Sequence, residues 1–310
     1  MTKFTLRIDS ENFGLESIYD ISKKNENEIF EILANYKKII YESALLSISK
    51  GIKVEDFTIW SNNAIGQEIL LRCKSKSINT LVSVNQKGIK DYINKKLNKL
   101  CKNNPFDHQK DTPCTCNNNN INHFNKIVLT IKNIDNLNGN QTEQNLMEIK
   151  NFCKKNQIEN PKIQNKSPLN SKIYIYLNKL SENIEEKKYA EDLIKSLVKL
   201  QDFGIEPDGW IIDNLYSNTS LDIFIAQSRI DDRTQPEILI NLNKDNLVIN
   251  NSLKININGI IIDEKNFLDE IINYGSKKIN KIETIQSISE KILQIYQITS
   301  KNHSVSLIEK

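Results

Sequence analysis

One feature constrains this chain more than any other. Short apolar runs rich in Ile, Val, Tyr and Phe alternate with longer segments of helical period. FTLRID (4–9) precedes a helical run from about Asn27 to Ser49, and FTIWSN (57–62) precedes a helix containing GQEILLRCKS. TLVSVN (80–85) precedes IKDYINKKLNKL, KIVLTI (126–131) precedes QTEQNLMEIKNFC, and KIYIYL (172–177) precedes AEDLIKSLVKLQDF. GWIID (209–213) precedes LDIFIAQSRI, while EILINL (237–242) is followed by a poor, short connection. NGIIID (258–263) precedes NFLDEIINYG and a final helix from Ile282 to about Thr299. Strands alternating with helices argue for a parallel sheet. Eight such units are the count of a (β/α)8 TIM barrel, which the strand number favours over a doubly wound open sheet.

The 310 residues read as a single α/β domain. Two polar segments interrupt the pattern. Residues 102–125 (KNNPFDHQKDTPCTCNNNNINHFN) form an Asn-rich insertion between the third helix and the fourth strand, and residues 156–171 (NQIENPKIQNKSPLNS) read as a surface loop. The 42 basic and 39 acidic side chains are too balanced to suggest nucleic acid or an anionic membrane as partner. No apolar run approaches the roughly 20 residues of a membrane span. The opening MTKFTLRIDS reads as a first strand and carries no apolar leader. Five unevenly spread cysteines do not suggest a disulfide framework, so a reducing cytoplasm is the expected compartment.

Three local matches carry a resemblance. They are KKIIYESALLSISKGI (37–52), IGQEILLRCKSKSI (65–78) and above all KSLVKLQDFGIEPDGWIIDNL (195–215). With the order of segments, they resemble the TIM-barrel sugar-phosphate aldolases typified by 2-deoxy-5-keto-gluconate-6-phosphate aldolase. These are relatives of tagatose-bisphosphate aldolase and are often fused to a sugar kinase in bacteria. The likeness runs from about Phe4 to the final helix. It implies class I aldol chemistry: a strand lysine forms an iminium with a ketone, carboxylates move protons, and arginines near the last strands hold phosphate.

The residues that would do this are largely replaced. The family's "LQDAGVEPDVWKIEGL" places its lysine on Ile211, its Glu on Asp213 and its Gly on Asn214. "PFDHR" becomes RIDSE, which keeps Asp9, and "VDEQFG" becomes SNNAIG, with Asn62 and Asn63 for the acids and Gly66 kept. "VEKSG" becomes VNQKG, with Asn85 for the Glu. Leu242 and Glu264 stand where the resemblance places phosphate-binding arginines, so Glu264 is expected to repel a phosphate there.

The resemblance therefore implies a degenerate aldolase-like barrel, non-catalytic for Schiff-base chemistry and retained for binding a sugar or sugar phosphate. Partnering with itself or with an active homologue is the companion expectation. The alternative is a carbon–carbon lyase with a relocated lysine or altered acid/base groups. Asp9 and Asp213 read either as a surviving acid pair at the mouth or as carboxylates that cap a helix or pair a lysine. Lys132, at the functional end of strand four, is the candidate replacement amine. Asn62, Asn63, Asn85 and Asn214 are candidate ligand contacts. Cys101, His108, Cys114, Cys116 and His123 could supply zinc ligands, although the spacing fits no standard zinc pattern. No GxGxxG or GxxxxGK[ST] is present, and no cofactor is expected.

Overall fold

A computed structural model describes the chain at residues 3–9, 25–62, 66–84, 126–132, 143, 146–151, 153, 172–178, 185–213, 215, 217–230, 235–242 and 257–304. Eight strands close into a parallel barrel in sequence order. They are β1 (Lys3–Arg7), β2 (Phe57–Asn62), β3 (Asn79–Val84), β4 (Lys126–Lys132), β5 (Lys172–Asn178), β6 (Gly209–Asp213), β7 (Glu237–Leu242) and β8 (Gly259–Asp263). Closure comes from β1 against β8, where Leu6 stands opposite Ile262 and Arg7 opposite Asp263. The expected barrel is thus the observed fold, with strand ends within a residue or two of the sequence reading. The Asn-rich insertion at 102–125, with its Cys and His candidates, and the loop at 156–171 lie outside the described residues.

Among the described residues the α-helices are α1 (Glu26–Ser49), α2 (Gln67–Ser75), α3 (Glu186–Asp202), α4 (Asn218–Ser228), α5 (Leu268–Gly275) and α6 (Lys281–Ser304). α1 begins where Asn25 accepts from the Glu28 N–H at 2.9 Å while Glu28 accepts from the Asn25 N–H at 3.2 Å. α6 repeats the device with Asn280 and Glu283. Each box satisfies backbone N–H groups that a helix start leaves without partners. α6 packs back on α1, with Ser289 Oγ 3.1 Å from Ser47 Oγ. Among the described residues, no helix is long and apolar enough to cross a membrane.

Strand alternation divides the core into two shells. One set of side chains packs outward under the helices, including Leu6, Ile59, Ile127, Ile175, Ile212, Ile240 and Ile262. The other fills the barrel: Trp60, Leu81, Val128, Tyr174, Tyr176, Ile211, Leu239 and Ile261. Because strands of this kind are buried on both faces, their runs are nearly continuously apolar. Polar side chains break those runs at the strand ends, and there the interior gives way to a site.

Candidate functional site

At the C-terminal ends of the strands, the end that carries chemistry in barrels of this type, polar side chains close over the apolar interior. Arg7 is the centre. Its guanidinium carbon lies 4.4 Å from the Trp60 ring centroid and 4.9 Å from that of Tyr176. The two rings meet edge to face at 5.5 Å. A delocalised cation between aromatic faces gains attraction that a strongly hydrated ammonium would realise less well. Arg7 Nε donates to Asp9 Oδ1 at 2.6 Å, and Nη1 lies 3.3 Å from the Tyr176 hydroxyl and 3.4 Å from Asp263 Oδ2. Burial alone would lower the pKa of Arg7. Asp9, Tyr176 and Asp263 more than reverse that, so the group stays charged.

Two hydrogen-bond chains radiate from this centre. On one side Trp60 Nε1 donates to Ser83 Oγ, which donates to Asp9 Oδ2, both at 2.6 Å. On the other, the Tyr176 hydroxyl donates to Asp213 Oδ1 at 2.8 Å, and Asn241 Nδ2 donates to the same oxygen at 2.9 Å. Burial, reinforced by Asp213, pushes the Tyr176 phenol well above its ordinary pKa, with Arg7 opposing. Tyr176 is therefore a donor and not a base. Burial also raises Asp263, against the pull of Arg7 and of the Lys265 backbone N–H. The floor thus combines three carboxylates, one guanidinium, a protonated phenol and an amide. Such a set recognises hydroxyl groups as both donor and acceptor.

Asp9 and Asp213 do lie at the same end, linked through Arg7 and Tyr176. The partner of Asp9 is an arginine, not the lysine considered from sequence. Asn62 donates to the Asp9 carbonyl at 3.1 Å, and its Oδ1 lies 3.4 Å from the Gly66 N–H, so its amide ties the β2–α2 turn together. Gly66 is required there, because a Cβ would fall 1.9 Å from Ser61 Oγ. Lys132 is the last residue of β4, paired in register with Asn178; its side chain is outside the described residues, as are Asn63, Asn85 and Asn214.

Three positions singled out by the sequence resemblance are now placed. Ile211 is 0% exposed and packs inside the barrel with Tyr176, Leu239 and Ile261. The expectation for Glu264 is corrected. It does not face a ligand: it is buried and paired at 3.4 Å with Lys37 of α1, which also donates to the Ile8 carbonyl at 2.7 Å. A carboxylate held this way is a strut between α1 and the end of β8. Leu242 is likewise buried in the outer shell.

Arg7, Ser83, Tyr176, Asn241 and Asp263 escaped the sequence reading. Two signals could have found them. Counting in twos along each strand puts Arg7, Ser83, Tyr176, Asn241 and Asp263 on the interior face near its end. Arg7 is also one of only four arginines in a lysine-rich chain, and it sits in a strand.

No protein-family model matches the chain, and no curated protein sequence does so significantly. Among solved structures it is similar to the YdjI aldolase from Escherichia coli K12, at 7% identity and a TM-score of 0.46, over 96% of this chain and 91% of that one.

Proposed function

We propose that this barrel binds a small, hydroxyl-rich, unphosphorylated ligand at its mouth and does not carry out Schiff-base aldol chemistry. The observation that carries the reading is the burial of Ile211 at the position where the aldolase resemblance requires an amine. Iminium formation needs a nitrogen lone pair, and no apolar side chain supplies one. The ligand class follows from the charge of the floor. Asp9, Asp213 and Asp263 surround Arg7, and Arg7 is already engaged by Asp9 and Asp263. A phosphate dianion would face a carboxylate excess, whereas neutral hydroxyls match both the donors and the acceptors.

The second reading, a carbon–carbon lyase with a relocated amine, is favoured by Lys132 ending β4 at the same end of the barrel. One experiment separates the two. The protein is incubated with ketoses and ketose phosphates in the presence of borohydride, and its intact mass is measured. The expected result is no adduct, together with a thermal shift from unphosphorylated polyols or sugars that Asp213→Asn abolishes. A stoichiometric adduct mapping to Lys132 would replace this reading with the lyase.

A further inference from the structure

The opposite, N-terminal end of the barrel holds a second polar cluster. Glu237 Oε2 accepts from Lys3 Nζ at 2.8 Å and from the Tyr174 hydroxyl at 2.9 Å, and Oε1 accepts from Lys172 Nζ at 2.9 Å. Gly209 makes room for this arrangement: a Cβ there would fall 2.6 Å from the Tyr174 ring and 2.9 Å from the Glu237 carbonyl oxygen. Lys126 opens β4 beside the cluster and pairs in register with Lys172. It is half-buried and lies in the fields of Lys3, Glu237 and Lys172. Glu237 already serves two ammonium groups and a phenol. Lys126 finds no acceptor among the described residues. Burial, with repulsion from Lys3 and Lys172, lowers its pKa despite Glu237.

We propose that this end of the barrel binds a small oxyanion of the phosphate or sulfate type, held by Lys126 together with Lys3 and Lys172. Among the described residues the three ammonium groups outnumber the carboxylates at this end, Glu237 and Asp208, whose charge also acts on Tyr174, so net positive charge remains. An oxyanion presents several acceptor oxygens and can take a charge-assisted hydrogen bond from each amine. It would also reverse the penalty on Lys126, because an opposite charge at contact favours the charged amine. The side chains of Lys3 and Lys172 are 38% and 48% exposed, so the group is reachable from solvent. The site is at the far end of the barrel from the mouth and does not depend on what binds there.

The test is calorimetric titration of the 310-residue chain with inorganic phosphate at constant ionic strength, using chloride as the balancing salt. Saturable binding is expected for the wild type. Lys126→Met and Lys172→Met should each weaken it roughly tenfold or more, as loss of one charge-assisted contact requires. The mouth variant Asp213→Asn should bind phosphate like the wild type. The proposal is overturned if phosphate does not saturate, or if both lysine variants bind it as the wild type does. Loss of binding in Asp213→Asn with retention in the lysine variants would move the anion to the mouth.

Discussion

The Tyr176 hydroxyl donates to Asp213 Oδ1 across 2.8 Å in a buried hydrogen bond at the barrel mouth. The Tyr176 hydroxyl also accepts from Arg7 Nη1 at 3.3 Å, so one phenol joins the carboxylate of β6 to the guanidinium of β1. Tyr176→Phe keeps the ring against Trp60 and Arg7 but removes the link. A buried carboxylate that loses one donor, and a guanidinium that loses one acceptor, should cost about 1–3 kcal/mol. Urea denaturation will read this as a lower midpoint with an unchanged slope. Adding Asp213→Asn should cost less than the two single changes together, because both act on one bond.

The barrel was readable because its strands are short, apolar and separated by long helical segments, and because eight of them are the number that closes a barrel. The interior position of Ile211 was readable for the same reason: its neighbours at odd positions along GWIID share its face. The site was less legible. Asp9 and Asp213 stood out only through a family resemblance. Of their real partners, Ser83, Tyr176 and Asn241 come from three other strands that the barrel brings together, while Arg7 precedes Asp9 by only two residues. Glu264 was misplaced because a single residue of register decides which way a side chain points. Asp263 faces Arg7, while Glu264, the next residue, turns outward to Lys37.

Restoring an amine at position 211 tests the packing directly. In Ile211→Lys the ammonium would enter a space lined by Tyr176, Leu239 and Ile261. Burial lowers the pKa of such an amine below its unfolded value near 10.4. The unfolded chain then binds more protons, so the penalty is greatest at low pH and fades as pH rises toward that value. A loss of a few kcal/mol near neutrality is expected. A melting temperature equal to wild type at pH 7 would mean that the interior accepts the charge.

The Lys37–Glu264 pair makes an asymmetric prediction. Both side chains are 1% exposed. Lys37→Met leaves a buried carboxylate without its cation, which should cost about 3–5 kcal/mol. The double variant Lys37→Met/Glu264→Leu removes both charges and should recover most of that loss. Equilibrium denaturation of the four proteins in the cycle gives the coupling. A double variant no more stable than Lys37→Met would show that the Lys37 contact to the Ile8 carbonyl, not the ion pair, is what matters.

At the other end of the barrel, Glu237 predicts the shape of the acid limb. Burial alone would raise its pKa, but hydrogen bonds from Lys3, Lys172 and Tyr174 hold it near 2, against an ordinary value of 4.5. The folded state therefore keeps this carboxylate charged where the unfolded chain has begun to protonate it. Its contribution to stability is complete above about pH 4.5 and is lost as pH falls toward 2. Lys3 and Lys172 are more than a third exposed, so solvent screens the interaction and about 1 kcal/mol is expected at neutrality. Glu237→Gln should lower stability at pH 7 by that amount and flatten the profile between pH 4.5 and 2, the interval set by the two pKa values. Asp263 works in the opposite sense, because its raised pKa makes protonation of the folded state easier as pH falls. The difference between wild type and Glu237→Gln cancels that background. Melting temperatures of the two proteins that run parallel through the interval would mean that the three donors do not hold Glu237 below its ordinary pKa.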